Sequence, residues 1–467
     1  MRFWRRKHAP FLPFVKSTGA LLLGQLPPPE ALKPDVRKVG PWVSFRSLTE
    51  SRPGSFKRTG TGCMQATGVR LNGAVQTDKQ EGPEGRVALV HDWLPVYAGA
   101  ERVLEQMLHL FPNADLFSLI EFLPPDQRAF LQGRPVQTSF IQRLPFARRA
   151  YRYYLPLAPL AIEQFDLRGY DLVISSSYVV AKGVLTTADQ LHISYVHSPI
   201  RYAWDLYFQY LEQGGLVRGP KSWLARMILH YLRLYDATTA SRPDVLVANS
   251  RHVARRIWKT YRRRAHVVYP PVDTAAFTPG TEKEDFYVTV SRLVPYKRVD
   301  LIVQAFARMP HRRLIVIGDG PEMNRIARMA TSNITLLGYQ PFEVMRTHLQ
   351  RARAFVFAAE EDFGIVPVEA MACGTPVIAY GRGGVRETVV EGETGLFFYE
   401  QTPEALAAAV ERFEQIAPSL STERICRQAE RFSIERFRKA FGQLVARAYE
   451  KKFLKGPKRS AYSEITL

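Results

Sequence analysis

The chain has 467 residues, of which 46% are apolar and 12% aromatic; this excludes a wholly disordered protein and predicts two or three domains. Its 64 Lys and Arg against 44 Asp and Glu give a net charge of +20, which favours an anionic partner, with a solvated basic surface as the alternative. Three dispersed cysteines exclude a disulfide framework and metal-ligand spacing. No apolar run reaches the roughly 18–20 residues of a membrane span, so we expect a soluble protein of a reducing compartment.

Residues 1–85 differ in composition from the rest of the chain. They contain three consecutive prolines at 27–29 and scattered Gly and Ser, with no sustained strand or helix periodicity. Their basic and apolar start is similar to a secretory signal, but Lys16 interrupts the apolar part and no clean cleavage site follows. The pattern predicts a disordered basic extension, which a start codon placed too far upstream would explain; a membrane-touching arm is the alternative.

From residue 86 onward, short apolar runs alternate with helical patterns. In the first half these runs lie at residues 87–90, 172–174, 193–196 and 245–248. In the second half they lie at residues 287–290, 314–317, 334–337, 354–357 and 377–380. Apolar strands that alternate with helices predict a parallel sheet covered on both faces. The predicted fold class is therefore α/β, with two Rossmann-like, doubly wound domains that face each other across a cleft.

The domain boundaries follow from the same pattern and from two adjacent prolines, Pro270 and Pro271. We predict an N-terminal domain at 86–269, a linker at 270–284, a C-terminal domain at 285–432, a helix at 433–452 that packs back on the N-terminal domain, and a tail at 453–467.

Two common phosphate-binding motifs are missing from the sequence. Gly318 and Gly320 follow a predicted strand, but Met323 occupies the position of the third glycine of a dinucleotide fingerprint. The chain also contains no G-x-x-x-x-G-K-[ST] loop. A nicotinamide, flavin or NTP-hydrolysing role is therefore disfavoured.

A stronger signal follows the predicted strand at 354–357. Gly364 permits a close backbone approach, and Pro367 suits the first turn of a helix. The free N–H groups of such a helix N-terminus attract an anion, whereas Glu361 and Glu369 on either side can accept hydrogen bonds from hydroxyls. A ligand that carries both phosphate and hydroxyl groups, such as a nucleotide sugar, fits this pattern. An ordinary βα turn with solvated acids is the alternative for either glutamate alone.

Arg292 and Lys297 lie in the loop after the first strand of the same domain. Arginine offers a forked donor and lysine a point charge for phosphate, and each charge-assisted hydrogen bond contributes roughly 1.5–3 kcal/mol. By itself such a pair is typical of a basic surface. Together with the two glutamates it favours a phosphate site.

This combination resembles the retaining glycosyltransferases of family 4, which have the GT-B fold. The likeness rests on Ala98-Gly99-Ala100-Glu101, Arg292 with Lys297, Gly318-Asp319-Gly320-Pro321, and the E-x7-E motif from Glu361 to Glu369. It covers about residues 86–450 and is looser in the first half, where Ala98-Gly99 replaces the usual Gly-Gly. There, Tyr195-Val196-His197-Ser198-Pro199 and the segment up to Arg102 look most like bacterial mannosyltransferases of polysaccharide assembly.

The resemblance implies a role for each site residue. Arg292 and Lys297 would hold the donor diphosphate and stabilise it as it leaves. Glu361 would contact sugar hydroxyls and Glu369 the ribose, while His197 and Gly99 would line the sugar and acceptor side. The other donor-contacting positions would be Gly318, Gly338, Phe363, Gly364 and Ile365. The family uses no resident cofactor and no metal, and it retains the anomeric configuration without an assigned nucleophile.

The resemblance also implies the partners. The donor would be a nucleoside-diphosphate sugar, with GDP-mannose as the best match, and the acceptor a glycan or polyprenyl-linked sugar of cell-surface polysaccharide synthesis. We therefore expect a cytoplasmic hexosyltransferase on the inner face of the plasma membrane, with no nucleic-acid partner. Three rivals stay open: an epimerase of the same fold, which would turn over the donor alone; a nucleic-acid-binding protein, favoured only by the charge; and a catalytically silent subunit.

Two segments combine basic and aromatic residues. One extends over residues 143–155 and the other over residues 221–229. Both suit an anionic membrane surface, with plain helix packing and extended arginine side chains as the alternative. A third basic run, at residues 251–264, predicts a solvated or lipid-facing helix.

Overall fold

The computed structural model describes residues 85–454 of the chain. The predicted basic extension at 1–85 and the predicted tail at 453–467 lie outside the described residues, apart from residues 85, 453 and 454. Both therefore stay predictions. Within the described range the chain forms two α/β domains, each built on one parallel sheet, and the predicted fold class is confirmed.

The first domain contains the strands β1 (Val87–His91), β2 (Asp115–Ser118), β3 (Val136–Thr138), β4 (Leu172–Ser177), β5 (Leu191–Val196), β6 (Val245–Ala248) and β7 (His266–Val267). They form one sheet in the order β3-β2-β1-β4-β5-β6-β7, and every pairing is parallel. Strand β1 is buried along its whole length, because apolar cores cover both faces of the sheet. This is why its first four residues form an uninterrupted apolar run.

The second domain contains β8 (Tyr287–Val290), β9 (Leu314–Ile317), β10 (Ile334–Gly338), β11 (Ala354–Phe357), β12 (Val377–Tyr380) and β13 (Gly395–Phe398). They form a second parallel sheet in the order β10-β9-β8-β11-β12-β13. In each sheet the strand order reverses beside the first strand, between β1 and β4 and between β8 and β11. Such a switch point opens a crevice at the carboxyl ends of the strands, where open α/β sheets bind their ligands.

Helices cover both sheets. In the first domain they are α1 (Gly99–Leu110), α2 (Ala147–Ala150), α3 (Ala158–Glu163), α4 (Tyr207–Gln213), α5 (Pro220–Thr238) and α6 (Arg251–Tyr261). In the second domain they are α7 (Val299–Ala307), α8 (Met323–Ala327), α9 (Phe342–Arg351), α10 (Ile365–Ala372), α11 (Val385–Thr388), α12 (Pro403–Ile416) and α13 (Thr422–Glu430). The last helix, α14, spans Ile434–Tyr449.

The chain passes between the two domains twice. The connection after β7 contains no helix or strand, but Val272 and Phe277 within it are buried in the core of the second domain. The predicted linker is therefore partly a packed element of that domain. Helix α14 returns to the first domain, where Phe437 and Phe441 lie in the same core as β5 and α1. Val272 also forms an isolated bridge with Ser433, so the two crossings lie side by side.

No helix between residues 85 and 454 combines the length and the apolar character that crossing a bilayer would require.

Candidate active site

The switch point of the second sheet brings together two loops that lie far apart in sequence. The loop after β8 contains a short 3₁₀ helix, Pro295–Lys297, and the loop after β11 contains Glu361. The Lys297 ammonium donates directly to the Glu361 carboxylate, and about a fifth of each side chain is exposed. Burial alone would lower the pKa of Lys297, but the Glu361 carboxylate outweighs burial and leaves that pKa raised. Lys297 is therefore a permanent cation at the crevice.

Arg292 lies in the same loop and is exposed, with its guanidinium 3.3 Å from the hydroxyl of Tyr296. Gly318 and Gly320 position this loop, because a Cβ on Gly318 would lie 1.8 Å from the carbonyl oxygen of Ser291. A Cβ on Gly320 would lie 2.4 Å from the carbonyl oxygen of Leu293 in the same loop. The glycines therefore allow one strand-end loop to lie directly on the one that carries Arg292.

Helix α10 begins immediately after Glu361 and its neighbours. Gly364 is the N-cap residue with φ +86°, a left-handed conformation that favours glycine. Phe363 is buried in the core of the second domain, so only its backbone is available to a ligand. Ile365 approaches the first domain: a Cβ on Gly99 would lie 3.2 Å from the Ile365 Cδ1 atom. The glycine at position 99 thus lies where the two domains come close together.

Glu369, one turn into α10, is nearly fully buried and pairs with a residue of the first domain. Its Oε1 atom accepts a hydrogen bond of 2.5 Å from the Arg102 guanidinium on α1. The Glu369 side chain is 3% exposed and that of Arg102 is 37% exposed. Burial would lower the pKa of Arg102, but Glu369 more than compensates and the pKa is raised. The two glutamates of the E-x7-E motif therefore each engage one cation, one from each domain.

Asp362 connects the loop between β11 and α10, called the glutamate loop (residues 358–364), to the first domain. Its carboxylate pairs with the Arg256 guanidinium, and its carbonyl oxygen accepts a 2.6 Å hydrogen bond from the Ser250 hydroxyl. The Arg256 guanidinium also lies 2.9 Å from the Asp205 carboxylate. A second guanidinium, that of Arg201, lies 3.8 Å from the Asp362 carboxylate. The basic run at 251–264 was predicted as a solvated or lipid-facing helix. For Arg256 this is wrong, because the side chain lies in the contact between the domains.

The wall of the first domain is a polar network at the ends of β1, β4 and β5. The hydroxyl of Ser176 lies 3.1 Å from His91 Nδ1 and 2.8 Å from His197 Nε2. His91 Nε2 lies 3.2 Å from the Glu101 carboxylate on α1. Burial, with a smaller contribution from the nearby His91, lowers the pKa of His197 to about 3. His197 is therefore neutral at pH 7 and is held in place by Ser176.

The described residues contain no group of three or more His, Cys, Asp and Glu side chains arranged to hold a metal ion.

Two family models match the chain. "Glycosyltransferase Family 4" matches residues 97–276 and "Glycosyl transferases group 1" matches residues 273–431, so together they span more than two thirds of the sequence. The boundary between them falls in the segment that connects the two domains. The chain belongs to the family 4-type glycosyltransferases with the GT-B fold. The predicted resemblance is confirmed at this level.

Curated relatives of this glycosyltransferase include a GDP-mannose-dependent alpha-(1-6)-phosphatidylinositol monomannoside mannosyltransferase of Mycolicibacterium smegmatis. It is 30% identical over 198 residues, which cover 36% of this chain and 52% of the relative. A D-inositol 3-phosphate glycosyltransferase of Geodermatophilus obscurus is 34% identical over 208 residues, which cover 38% of this chain and 46% of the relative. The chain thus spans about half the length of the curated relatives it matches.

Solved structures support the fold. The Anabaena protein HepE in complex with UDP aligns with a TM-score of 0.56 at 16% identity, over 78% of this chain and all of HepE. The sucrose-phosphate synthase of Thermosynechococcus elongatus aligns with a TM-score of 0.60 at 17% identity, again over 78% of this chain and all of that enzyme. At these identities the likeness extends to the fold alone.

Within the glycosyltransferase, the predicted site residues take three kinds of position. Lys297, Glu361, Glu369, Gly364 and Ile365 lie together at the second-domain side of the crevice, with Arg292 on the adjoining loop and Gly99 opposite. Gly318 and Gly338 act through backbone geometry: the Gly338 carbonyl accepts from the Gly318 amide at 2.8 Å, and Gly338 ends β10 with φ +68°. His197 contacts Ser176 and Tyr178 of the first domain.

Sequence reasoning missed three parts of the site. Arg102 belonged to a quoted motif but received no role, and Asp362 was passed over between two assigned neighbours. The third part is Gly383 and Gly384, where a Cβ would lie 2.4 Å from the carbonyl oxygen of Glu361 or 2.3 Å from that of Asp362. The signal was available, because Gly-Arg-Gly-Gly follows a strand at residues 381–384. These glycines let the β12 loop pack on the glutamate loop.

Proposed function

We propose that this protein transfers a sugar from a nucleoside-diphosphate sugar, with retention of configuration, to a glycan or lipid-linked acceptor. Mannose from GDP-mannose is the favoured donor, in the synthesis of cell-surface polysaccharide. The single observation that carries the proposal is the arrangement of Lys297, Glu361 and Glu369 at the switch point of the second sheet, with Arg102 facing them from the first domain. This position is where a doubly wound domain binds its ligand.

The cations suit the leaving group. As the bond between the sugar and the diphosphate breaks, negative charge accumulates on the phosphate oxygens. The pKa of Lys297 is raised, so its side chain is charged at pH 7, and Arg292 lies exposed in the same loop. The free N–H groups at the start of the eight-residue helix α10 add a partial positive charge. Cations and amides prearranged in this way stabilise the transition state without reorganisation.

The carboxylates suit the hydroxyl groups of the same ligand. Glu361 and Glu369 cannot hold phosphate, but each can accept hydrogen bonds from sugar or ribose hydroxyls. In the structure both are already paired with cations, so the donor would exchange partners with them: its diphosphate would take Lys297, and its hydroxyls would take the carboxylate oxygens. Binding then adds the negative charges of the diphosphate to the crevice, and Lys297 with the exposed Arg292 would offset them.

The comparisons favour mannose and GDP without deciding between donors. The Mycolicibacterium smegmatis relative is named as GDP-mannose-dependent, whereas the Anabaena structure contains UDP. The transfer that we propose needs no metal ion, since Arg292 and Lys297 would supply the positive charge that a divalent cation supplies in metal-dependent transferases.

The test measures release of nucleoside diphosphate from GDP-mannose, UDP-glucose and ADP-glucose, with and without a polyprenyl-linked acceptor, each in the presence and absence of EDTA. We expect acceptor-dependent release from one donor, unchanged by EDTA. Turnover of the donor alone into an isomeric nucleotide sugar would support the epimerase instead. No turnover and no nucleotide binding by any of the three would reject the proposed function.

A further inference from the structure

Helix α5 is apolar on both of its sides. Its inner side places Ala225, Leu229 and Leu232 in the core of the first domain. Its outer side exposes large apolar residues at intervals of three or four, which places them on one face: Trp223 is 66% exposed and Leu234 is 54% exposed, with Leu224, Met227 and Tyr231 also exposed. Large apolar side chains that are contiguous on an exposed helix face mark a surface that binds a protein or a membrane.

A second exposed apolar strip lies in the segment from the start of α2 to α3. Phe146 is 83% exposed, and Tyr153, Leu157 and Leu160 are exposed at helical spacing. Phe146 also has φ +56°, an unfavourable backbone conformation for an aromatic residue. The outward position of this ring is thus built into the turn that begins α2.

The two strips belong to one face of the molecule. The inner residues of both segments, among them Leu155 and Leu229, lie in the same hydrophobic core. Arg242, just after α5, donates a 2.6 Å hydrogen bond to Glu163 at the end of α3. Burial raises the pKa of Tyr231, and the Glu163 carboxylate raises it further, so the two helices are neighbours.

The charge of these segments has one sign. Between residues 139 and 162 the sequence contains four arginines and no acidic residue. Between Glu212 and Asp236 it contains three arginines and one lysine, again with no acidic residue. Glu163, the carboxylate beside Tyr231, is paired with Arg242. Aromatic residues mixed with arginine and lysine are the composition of a surface that lies in the headgroup region of an anionic bilayer.

We propose that this face binds an anionic lipid bilayer. We call it the docking face. It is formed by the surrounding arginines and by the exposed residues Phe146, Tyr153, Leu157, Leu160, Trp223, Leu224, Met227, Tyr231 and Leu234. A second copy of the chain fits the charge poorly, because a symmetric contact would bring two basic surfaces together. The inference goes beyond the proposed function: it concerns a surface outside the crevice, and its test needs neither donor nor acceptor.

The test is co-sedimentation of the full chain with vesicles of phosphatidylcholine, with or without phosphatidylglycerol. We expect binding only to vesicles that contain phosphatidylglycerol, and we expect added salt to weaken it. The triple variant Trp223→Ser, Met227→Ser and Tyr231→Ser should lose binding. The double variant Arg143→Gln and Arg148→Gln should weaken it on the order of tenfold or more, since each basic residue near the surface contributes about 1 kcal/mol.

Matched controls separate the docking face from general surface effects. Tyr399 is an exposed aromatic residue of the second domain, and Arg328 and Arg427 are exposed arginines of that domain. Tyr399→Ser and the double variant Arg328→Gln with Arg427→Gln should bind vesicles like the wild type. All variants alter exposed residues and should keep the wild-type thermal midpoint, which checks folding.

Three outcomes would overturn the proposal. One is equal binding of the wild type to both kinds of vesicle or to neither. Another is wild-type binding by the triple variant. The third is a stable dimer by light scattering that the triple variant converts to a monomer, since the face would then be an interface between two copies. Each would leave the proposed transfer reaction in place, because that reaction is measured separately.

Discussion

The two walls of the crevice differ in their chemistry and in what holds them in place. The second-domain wall, called the charged wall, presents Lys297 and Glu361 on loops that pack through glycines and Glu369 on helix α10. The first-domain wall presents buried side chains joined by hydrogen bonds, in which Ser176 contacts His91 and His197. The charged wall offers cations and carboxylates to a diphosphate and its hydroxyls, whereas the neutral His197 of the first-domain wall suits an uncharged hydroxyl group.

Ion pairs across the crevice connect the two walls in the structure. Arg102 reaches Glu369 and Arg256 reaches Asp362, so helix α10 and the loop before it are each fixed from the opposite domain. Glu387 on α11 adds a third connection, because its carboxylate accepts hydrogen bonds of 2.8 Å from the first two amides of α6. The predictions below separate the chemical role of the charged wall from this structural role.

The largest effect is expected for Lys297→Ala. Removal of a prearranged group that stabilises developing charge typically lowers the rate by about 10²–10³-fold, so turnover should fall by that order. The thermal midpoint should also fall, about as much as for Asp362→Asn, because the variant breaks an ion pair of similar burial with Glu361; a native far-UV circular dichroism spectrum checks that the fold is kept. Lys439→Ala, an exposed lysine on α14, is the matched control and should keep full activity. Equal turnover by the Lys297 variant and the wild type would exclude the charged wall as the leaving-group site.

Next comes the contrast between Glu369→Gln and Arg102→Gln. A hydrogen bond to a charged group contributes roughly 1.5–3 kcal/mol, so Glu369→Gln should weaken donor binding by about 10- to 100-fold. Both changes break the same ion pair and should lower the thermal midpoint, but Arg102→Gln should leave donor affinity unreduced. Calorimetric titration of each variant measures the affinities. A larger loss of affinity in the Arg102 variant would make Arg102 the donor-binding residue.

A smaller effect is expected for Asp362→Asn, which breaks the pair with Arg256. The pair is about four-fifths buried on both sides, and its loss should lower the free energy of unfolding by about 1–2 kcal/mol. Asp285→Asn is the control, because Asp285 pairs with Arg353 at an exposed site and should change stability by less than about 0.5 kcal/mol. Equal urea midpoints for the two variants would contradict the role given to Asp362.

The smallest effect concerns pH. Burial lowers the pKa of His197 to about 3, so in acid the unfolded chain binds a proton that the folded protein excludes. The contribution of His197 to stability is fully present above about pH 6.5 and is lost progressively as the pH falls toward 3. Between pH 7 and pH 5.7, the free energy of unfolding measured with urea should therefore fall by about 1 kcal/mol less in His197→Asn than in the wild type. An identical sensitivity would contradict a neutral, buried His197.

The charged wall was easier to predict than the first-domain wall, for physical reasons. Gly364 and the glutamates around it follow from local chemistry, since a strand, a left-handed glycine and a helix N-terminus are adjacent in sequence. Local patterns also predicted both parallel sheets. The Arg102–Glu369 pair joins residues 267 positions apart, and no local pattern predicts such a partner. The same holds for Arg256, whose sequence neighbours are all consistent with a solvated helix.

The most direct test of the central claim is calorimetric titration of GDP-mannose, UDP-glucose and ADP-glucose into the wild type and into Lys297→Ala, with EDTA throughout. The account predicts that one donor binds the wild type without metal, and that the same donor binds the Lys297 variant at least about tenfold more weakly. Equal affinity of that donor for both proteins, or binding that appears only when a divalent cation is added, would contradict it.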